Sequence, residues 1–355
     1  MSHSYRSFVV VAQDTEGTPV RPDSQRPDQL IELKTSADLT DWIGSDVTSL
    51  TAAETAAHLS TRAWQRSPAN SSTTDRNWAG VGCRVVEITA ARLGAVVVHT
   101  HERTDLLQWS LPLDEASRFH AATSQLLDSV LERLARGQHP DSAVLREVIP
   151  GLSHRWAGAS AEIRELLAGN IGVVWRQPRG ELTLTRPADV GAVLSGAFNP
   201  LHEGHAALRH AAADYLGVET AYELPIVNAD KPPIDFLSLE QRTAQFTDAP
   251  LALSRAATFA EKASFLPGMT FVVGFDTAIR ILEPRYYGGP DAMLHVLRQF
   301  GDAGGSFLVA GRLCGGEFQT CSDLPRPAPV RDLFEELPAS RFRMDVSSTE
   351  VRRQR

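Results

Sequence analysis

At 355 residues, 43% hydrophobic and 22% charged, the chain has the composition of an ordinary globular protein and length for two domains, each with its own core. A net charge of −8 argues against a general nucleic-acid binder but leaves room for a local cationic nucleotide site. No segment reaches the ~18 apolar residues of a membrane span, no apolar signal core opens the chain, and the three cysteines, Cys83, Cys314 and Cys321, are scattered, so a reduced, cytoplasmic setting is expected.

Phe8 to Ala12 reads as a short strand, and Asp14 to Gln29, with three prolines, as an exposed loop. Ala56, Leu59, Ala63 and Trp64 recur at helical spacing in a helix over 51–65, with Ser49 or Thr51 as its cap. Strands are expected over 79–88, 94–101 and 106–111. His99 and His101 alternate within the second of these and so share a side, as a partly exposed strand end or as two of the ligands of a metal. A long helix over 113–136 aligns Phe119, Ala122, Leu126, Val130 and Leu134 on one face, and Gly137 and Pro140 end it. Residues 1–140 are therefore expected to form an α/β domain, and 141–188 a connector with helices over 144–149 and 161–168 and a hairpin around Pro178-Arg179-Gly180. From 189 to 355 strands and helices alternate: strand 191–195, helix 205–216, strand 219–226, helix 239–246, strand 250–254, helix 257–265, strand 270–274, helix 276–283 and strand 306–310. That alternation calls for a parallel sheet with ligands at the carboxyl ends of its strands.

The stretch that carries chemistry is Ser195-Gly196-Ala197-Phe198-Asn199-Pro200-Leu201-His202-Glu203-Gly204-His205. Gly196 permits a turn and a close approach to a ligand. His202 and His205 lie i, i+3 at a helix start, where free N–H groups and the dipole favour an anion. Two imidazole donors at such a place suit a polyphosphate.

This stretch resembles the H-x-G-H signature of the nucleotidylyltransferase superfamily, nearest to the nicotinate/nicotinamide mononucleotide adenylyltransferases. Three later segments fit the resemblance. After strand 219–226, Asn228-Ala229-Asp230-Lys231 offers a lysine where the family meets phosphates, or else a solvated loop lysine. Phe271 to Gly274 with Asp276 resembles the strand-Gly-x-Asp element lining the family's nucleotide pocket, while Asp276 is also placed to act as an N-cap. Val346-Ser347-Ser348-Thr349-Glu350-Val351-Arg352 matches the family's Ile-Ser-Ser-Thr-x-Ile-Arg signature with valine for isoleucine, and a capping box of Ser347 with Glu350 fits the same spacing. The fold implied is α/β, a Rossmann-like parallel-sheet nucleotidylyltransferase domain following an N-terminal α/β domain.

Gly80-Val81-Gly82-Cys83, the two strands after it and the long helix resemble the C-terminal domain of the CinA family, whose members deamidate nicotinamide mononucleotide. The family's Ser-Cys-Thr-Gly-Gly turn has no counterpart here, so this part is expected to be catalytically silent, a scaffold or a surface for homo-oligomerisation.

The activity implied is transfer of a nucleotidyl group from an NTP to a phosphate monoester, with release of pyrophosphate. The resemblance points to ATP and to a pyridine mononucleotide acceptor; CTP with another phosphate or phosphonate acceptor, and a non-catalytic nucleotide sensor, are the alternatives. His202 and His205 are assigned to the triphosphate, Lys231 and Arg352 to charge neutralisation, and Ser347, Ser348 and Thr349 to β- and γ-phosphates. Ser195, Gly196, Ala197, Phe198, Asn199, Gly204, Gly274 and Asp276 line the nucleotide site. Mg²⁺ enters on the NTP, and no metal is expected to be held by the protein alone.

Overall fold

Period-two apolar strands and amphipathic helices build two α/β units in the computed structural model, which describes residues 6–13, 29–34, 51–66, 78–88, 91–227, 234–314 and 317–343. One unit comprises Met1–Arg164 together with Asp230–Glu240; the other comprises Glu165–Ala229 and Gln241–Arg355. The chain thus returns to the first unit after leaving it, which a split of the sequence at 141–188 does not include.

The first unit holds a six-stranded mixed sheet of order β2-β1-β3-β4-β5-β6. Its strands are β1 (Arg6–Gln13), β2 (Gln29–Lys34), β3 (Trp78–Ile88), β4 (Ala91–His99), β5 (Arg103–Pro112) and β6 (Ser153–Gly158). β1 runs parallel to β2 and β3, and the remaining pairs are antiparallel. Alternation sorts the side chains between two faces. Val81, Cys83, Val96, Val98, Leu107 and Trp109 face the buried stripe of α2 (Ala116–Ala135), formed by Phe119, Leu126, Val130 and Leu134, and residues of α3 (Ser142–Val148). Ala95 and Val97 face the other way, onto Ala56 of α1 (Ala52–Arg66). Thr51 caps α1 reciprocally with Glu54: the Glu54 N–H donates to Thr51 Oγ1 at 3.2 Å and the Thr51 N–H to Glu54 Oε2 at 2.9 Å. Two glycines of this region need no functional account. A Cβ on Gly82 would lie 2.1 Å from the Ala56 carbonyl oxygen, so Gly82 is where α1 lies directly on the sheet. Gly94 likewise makes room for the Trp109 ring.

α4 (Ala161–Ala168) leads into the second unit, whose eight-stranded sheet has the order β16-β13-β12-β9-β10-β11-β7-β8. Its strands are β7 (Val173–Arg176), β8 (Leu182–Thr183), β9 (Val190–Ser195), β10 (Glu219–Pro225), β11 (Leu251–Ser254), β12 (Thr270–Gly274), β13 (Ser306–Ala310) and β16 (Phe334–Leu337); β14 (Arg312–Cys314) and β15 (Glu317–Gln319) form a separate hairpin. β16, β13, β12, β9, β10 and β11 are all parallel, and the expected hairpin β7–β8 adds antiparallel to β11. The helices are α5 (Glu203–Leu216), α6 (Phe236–Thr243), which passes from one unit to the other, α7 (Phe259–Phe265), α8 (Phe275–Ile281) and α9 (Pro290–Asp302). Val193, Phe271, Val273, Phe307 and Val309 pack with Phe275 and Ile281 of α8 and Met293, Leu297 and Phe300 of α9.

Several expectations need correction. α6 begins three residues before the expected 239, because the Asp235 carboxylate accepts the Ser238 N–H at 3.0 Å and starts the helix early. β4 ends at His99, so His101 lies in the following turn and does not share a strand face with it. α9 and strands β2, β6, β14, β15 and β16 were not expected. The loop over 14–28 lies outside the described residues. No helix among the described residues is long and apolar enough to cross a membrane.

Candidate functional site

From β9 the chain passes to β10 and β11 on one side, and β12, β13 and β16 add on the other. The order therefore reverses between β9 and β12, and the crevice beyond the carboxyl ends of strands at such a reversal is where open parallel sheets bind ligands. The loop over 196–202 leaves β9 at this point, and Gly274 ends the neighbouring β12.

The loop is held from beneath. Phe198, at φ 45° and 2% exposed, turns its ring inward against Tyr222, Phe246 and His205, with centroids 5.3, 5.2 and 5.0 Å away and near-perpendicular planes. A Cβ on Gly196 would come within 3.0 Å of that ring. The glycine assigned to close ligand approach is thus required by Phe198, and the Phe198 side chain acts on the site through His205. The peptide before Pro200 is cis. Gln245 braces both arms of the loop: its Oε1 accepts the Leu201 N–H at 2.8 Å and its Nε2 donates to the Phe198 carbonyl at 3.2 Å. Ala197 and Asn199 are exposed. The Arg242 guanidinium reaches the Ala197 carbonyl at 3.4 Å.

α5 starts at Glu203, with His202 as its N-cap residue and Gly204 and His205 in its first turn; Gly217 at φ 68° ends it. The two imidazoles stack, with centroids 3.7 Å apart and planes at 25°. The His202 backbone N–H donates to His205 Nδ1 at 3.3 Å. Burial pushes His205 down to about 4, with the neighbouring His202 adding to the shift, and burial also lowers His202. His205 is therefore neutral at pH 7, and with Nδ1 accepting, its proton sits on Nε2. An N–H donor and the first-turn amides of Glu203 and Gly204 stand together, while the His205 amide is bonded to the His202 carbonyl at 2.9 Å.

Gly274, not Asp276, is the N-cap of α8, so Asp276 does not serve as the cap residue. Its half-exposed carboxylate pairs with Arg312, the first residue of β14. A Cβ on Gly274 would meet nothing within 4 Å, so the end of β12 is open. Lys231, Ser347, Ser348, Thr349 and Arg352 lie outside the described residues.

Below the loop, at the ends of β9, β10 and β11, sits a polar cluster that the sequence reading did not single out. Glu223 is fully buried and Lys262, on α7, is 4% exposed. Lys262 Nζ lies 2.7 Å from Glu223 Oε2 and 2.6 Å from Ser195 Oγ, and 4.8 Å from the centroid of the Phe259 ring. The Ser195 hydroxyl donates to Glu223 Oε2 at 2.5 Å, and the Ser254 hydroxyl donates to Glu223 Oε1. The Glu223 carbonyl accepts the Gly196 N–H at 3.0 Å. The one sequence signal for this cluster was a glutamate inside an apolar strand.

In the first unit, the fully buried Asp105 carboxylate takes Arg103 and the His154 Nε2 at 2.8 Å. His99 bonds Thr104 at 2.8 Å through Nδ1, and burial lowers it to about 4. Among the described residues no group of three His, Cys, Asp or Glu side chains is placed to hold a metal ion. Cys83 and Cys321 are buried free thiols, Cys83 pushed up to about 12 by burial. No family model, curated protein or solved structure matches the chain.

Proposed function

We propose that the second unit is a nucleotidylyltransferase of Rossmann-like build, which transfers a nucleotidyl group from an NTP to a phosphate monoester. The observation that carries the reading is the stacked His202–His205 pair at the start of α5, set where the strand order reverses at the carboxyl end of β9. The substrate's own phosphate attacks the α-phosphorus in line, and pyrophosphate leaves. No protein nucleophile is needed, so the work falls to positioning and charge stabilisation. The His205 Nε2–H and the first-turn amides of Glu203 and Gly204 hold the triphosphate. Phe198 and Gln245 keep the loop in the shape that presents them. Lys231 and the segment Ser347, Ser348, Thr349 and Arg352 add the charge-assisted contacts that the H-x-G-H resemblance assigns to them.

The donor set suits Mg²⁺ carried in on the NTP. Glu223 is taken by Lys262, Ser195 and Ser254, and Asp276 by Arg312. Such a metal would be held chiefly by the NTP with few protein ligands, and would supply neutralisation of phosphate charge. ATP with a pyridine mononucleotide acceptor is the substrate pair favoured by the resemblance. Pyrophosphate release, measured with each of the four NTPs against a panel of phosphate monoesters, tests the reading. Release with ATP and a pyridine mononucleotide supports it in full; release with CTP and another acceptor keeps the reaction and changes the substrates. No release with any pair sinks it.

A further inference from the structure

Glu223 and Lys262 form an ion pair that is buried from solvent, and a well-packed apolar pair is often as stable as a buried salt bridge or more so. What the pair does touch is the first residue of the H-x-G-H stretch. Ser195 spends its proton on Glu223 and its acceptor lone pair on Lys262. The Glu223 carbonyl takes the next amide, that of Gly196. Ser254 satisfies the second carboxylate oxygen, and the Phe259 ring faces the ammonium. Three adjacent parallel strands and one helix thus converge on a two-residue turn. The loop that begins there contains no regular structure until Glu203.

We propose that Glu223 and Lys262, with Ser254 behind them, are positioning residues: the buried pair locks the Ser195–Gly196 turn so that the loop carrying His202 and His205 is rigid before the polyanion arrives. The proposal rests on the phosphate-site reading of that loop, but its structural half stands without it. Preorganised donors raise turnover more than they raise ground-state affinity. A purely structural pair, by contrast, would be replaceable by apolar side chains at no cost to function.

The test is the double substitution Glu223→Met with Lys262→Met in the full chain, read by melting temperature, amide exchange over residues 196–202 and steady-state kinetics. The expected result is a folded variant whose melting temperature falls modestly, since apolar packing offsets the lost ion pair while the Ser195 and Ser254 hydroxyls lose their acceptor. Exchange over 196–202 should be at least ~10-fold faster, because local opening is no longer opposed by the pair. The expected kcat is roughly 10²-fold lower, the scale of a misplaced reactive geometry, with KM for the NTP within about threefold. Unchanged exchange in the folded double variant overturns the proposal, as does faster exchange with wild-type kcat in an active enzyme. If the wild type transfers nothing, the catalytic reading fails and the exchange comparison still decides the positioning role. Should the double variant not fold, Ser195→Ala keeps the ion pair and removes only its side-chain link to the turn. Faster Gly196 exchange at unchanged melting temperature is then expected, and wild-type exchange overturns the proposal.

Discussion

His205 accepts the His202 amide at Nδ1 and is pressed by the Phe198 ring, while burial pushes its pKa to about 4. The same residue therefore links a ligand donor to the stability of the unit. An unfolded histidine titrates near 6.5, so in the pH window between about 6.5 and 4 the unfolded chain takes up a proton that the folded one refuses. The stabilisation is full above pH 6.5 and is lost as pH falls toward 4. His99 adds a second such term in the first unit, since burial lowers it to about 4 as well. The melting temperature of the protein should drop across this window, and His205→Gln, which cannot protonate, should make the drop shallower. An unchanged slope in that variant would contradict the buried, neutral state of His205. The H-x-G-H histidines were legible in the sequence because local spacing and a helix start define them. The Phe198 role was not: its ring turns inward only because Tyr222 and Phe246, 24 and 48 positions on, build a pocket for it.

Elements follow the same division between local and distant causes. α1, α2 and strands β9 to β13 carry strong periodic patterns and were expected in nearly their observed places. α9 has a buried stripe, Met293, Leu297 and Phe300, and proline at its first helical position, but no helix was expected between 283 and 306. β16 is four residues long, with Glu335 and Glu336 in its middle. Only the neighbouring edge of β13 makes it a strand, and charge on an edge is common. The ion pair was illegible for a related reason. Ser195, Glu223, Ser254 and Lys262 are scattered over 68 positions and meet only because β9, β10 and β11 end side by side. Gly82 shows what such an element-level contact demands. An added Cβ would strike the backbone of α1 at 2.1 and 2.6 Å, and backbone cannot rotate away. Gly82→Ala should destabilise the first unit by about 3 kcal/mol, the upper range for overpacking, as read by urea denaturation. A change within about 0.5 kcal/mol would mean that α1 does not lie on β3 as described.

At the scale of the molecule, the two units are not two consecutive lengths of chain. Residues 234–240 belong to the first unit, where the Phe236 N–H donates to Thr104 Oγ1 at 3.0 Å and its ring lies 5.0 Å from that of His99. A fragment of residues 165–355 would carry Phe236 without Thr104 and His99, its partners in the first unit. It should self-associate, and Phe236→Ser should suppress this, as measured by light scattering. A fragment monodisperse without that change would contradict the division. The carboxyl end of β9 remains the centre of the account, since the stacked histidines, the braced loop and the buried ion pair all converge there. Pyrophosphate release by His205→Ala, beside the wild type at pH 8, tests that centre most directly. The expected variant folds, melts slightly lower for loss of the His202 amide bond and the Phe198 contact, and has lost at least ~10²-fold in kcat, the scale of a missing transition-state donor. A well-folded His205→Ala protein that releases pyrophosphate at the wild-type rate would contradict it.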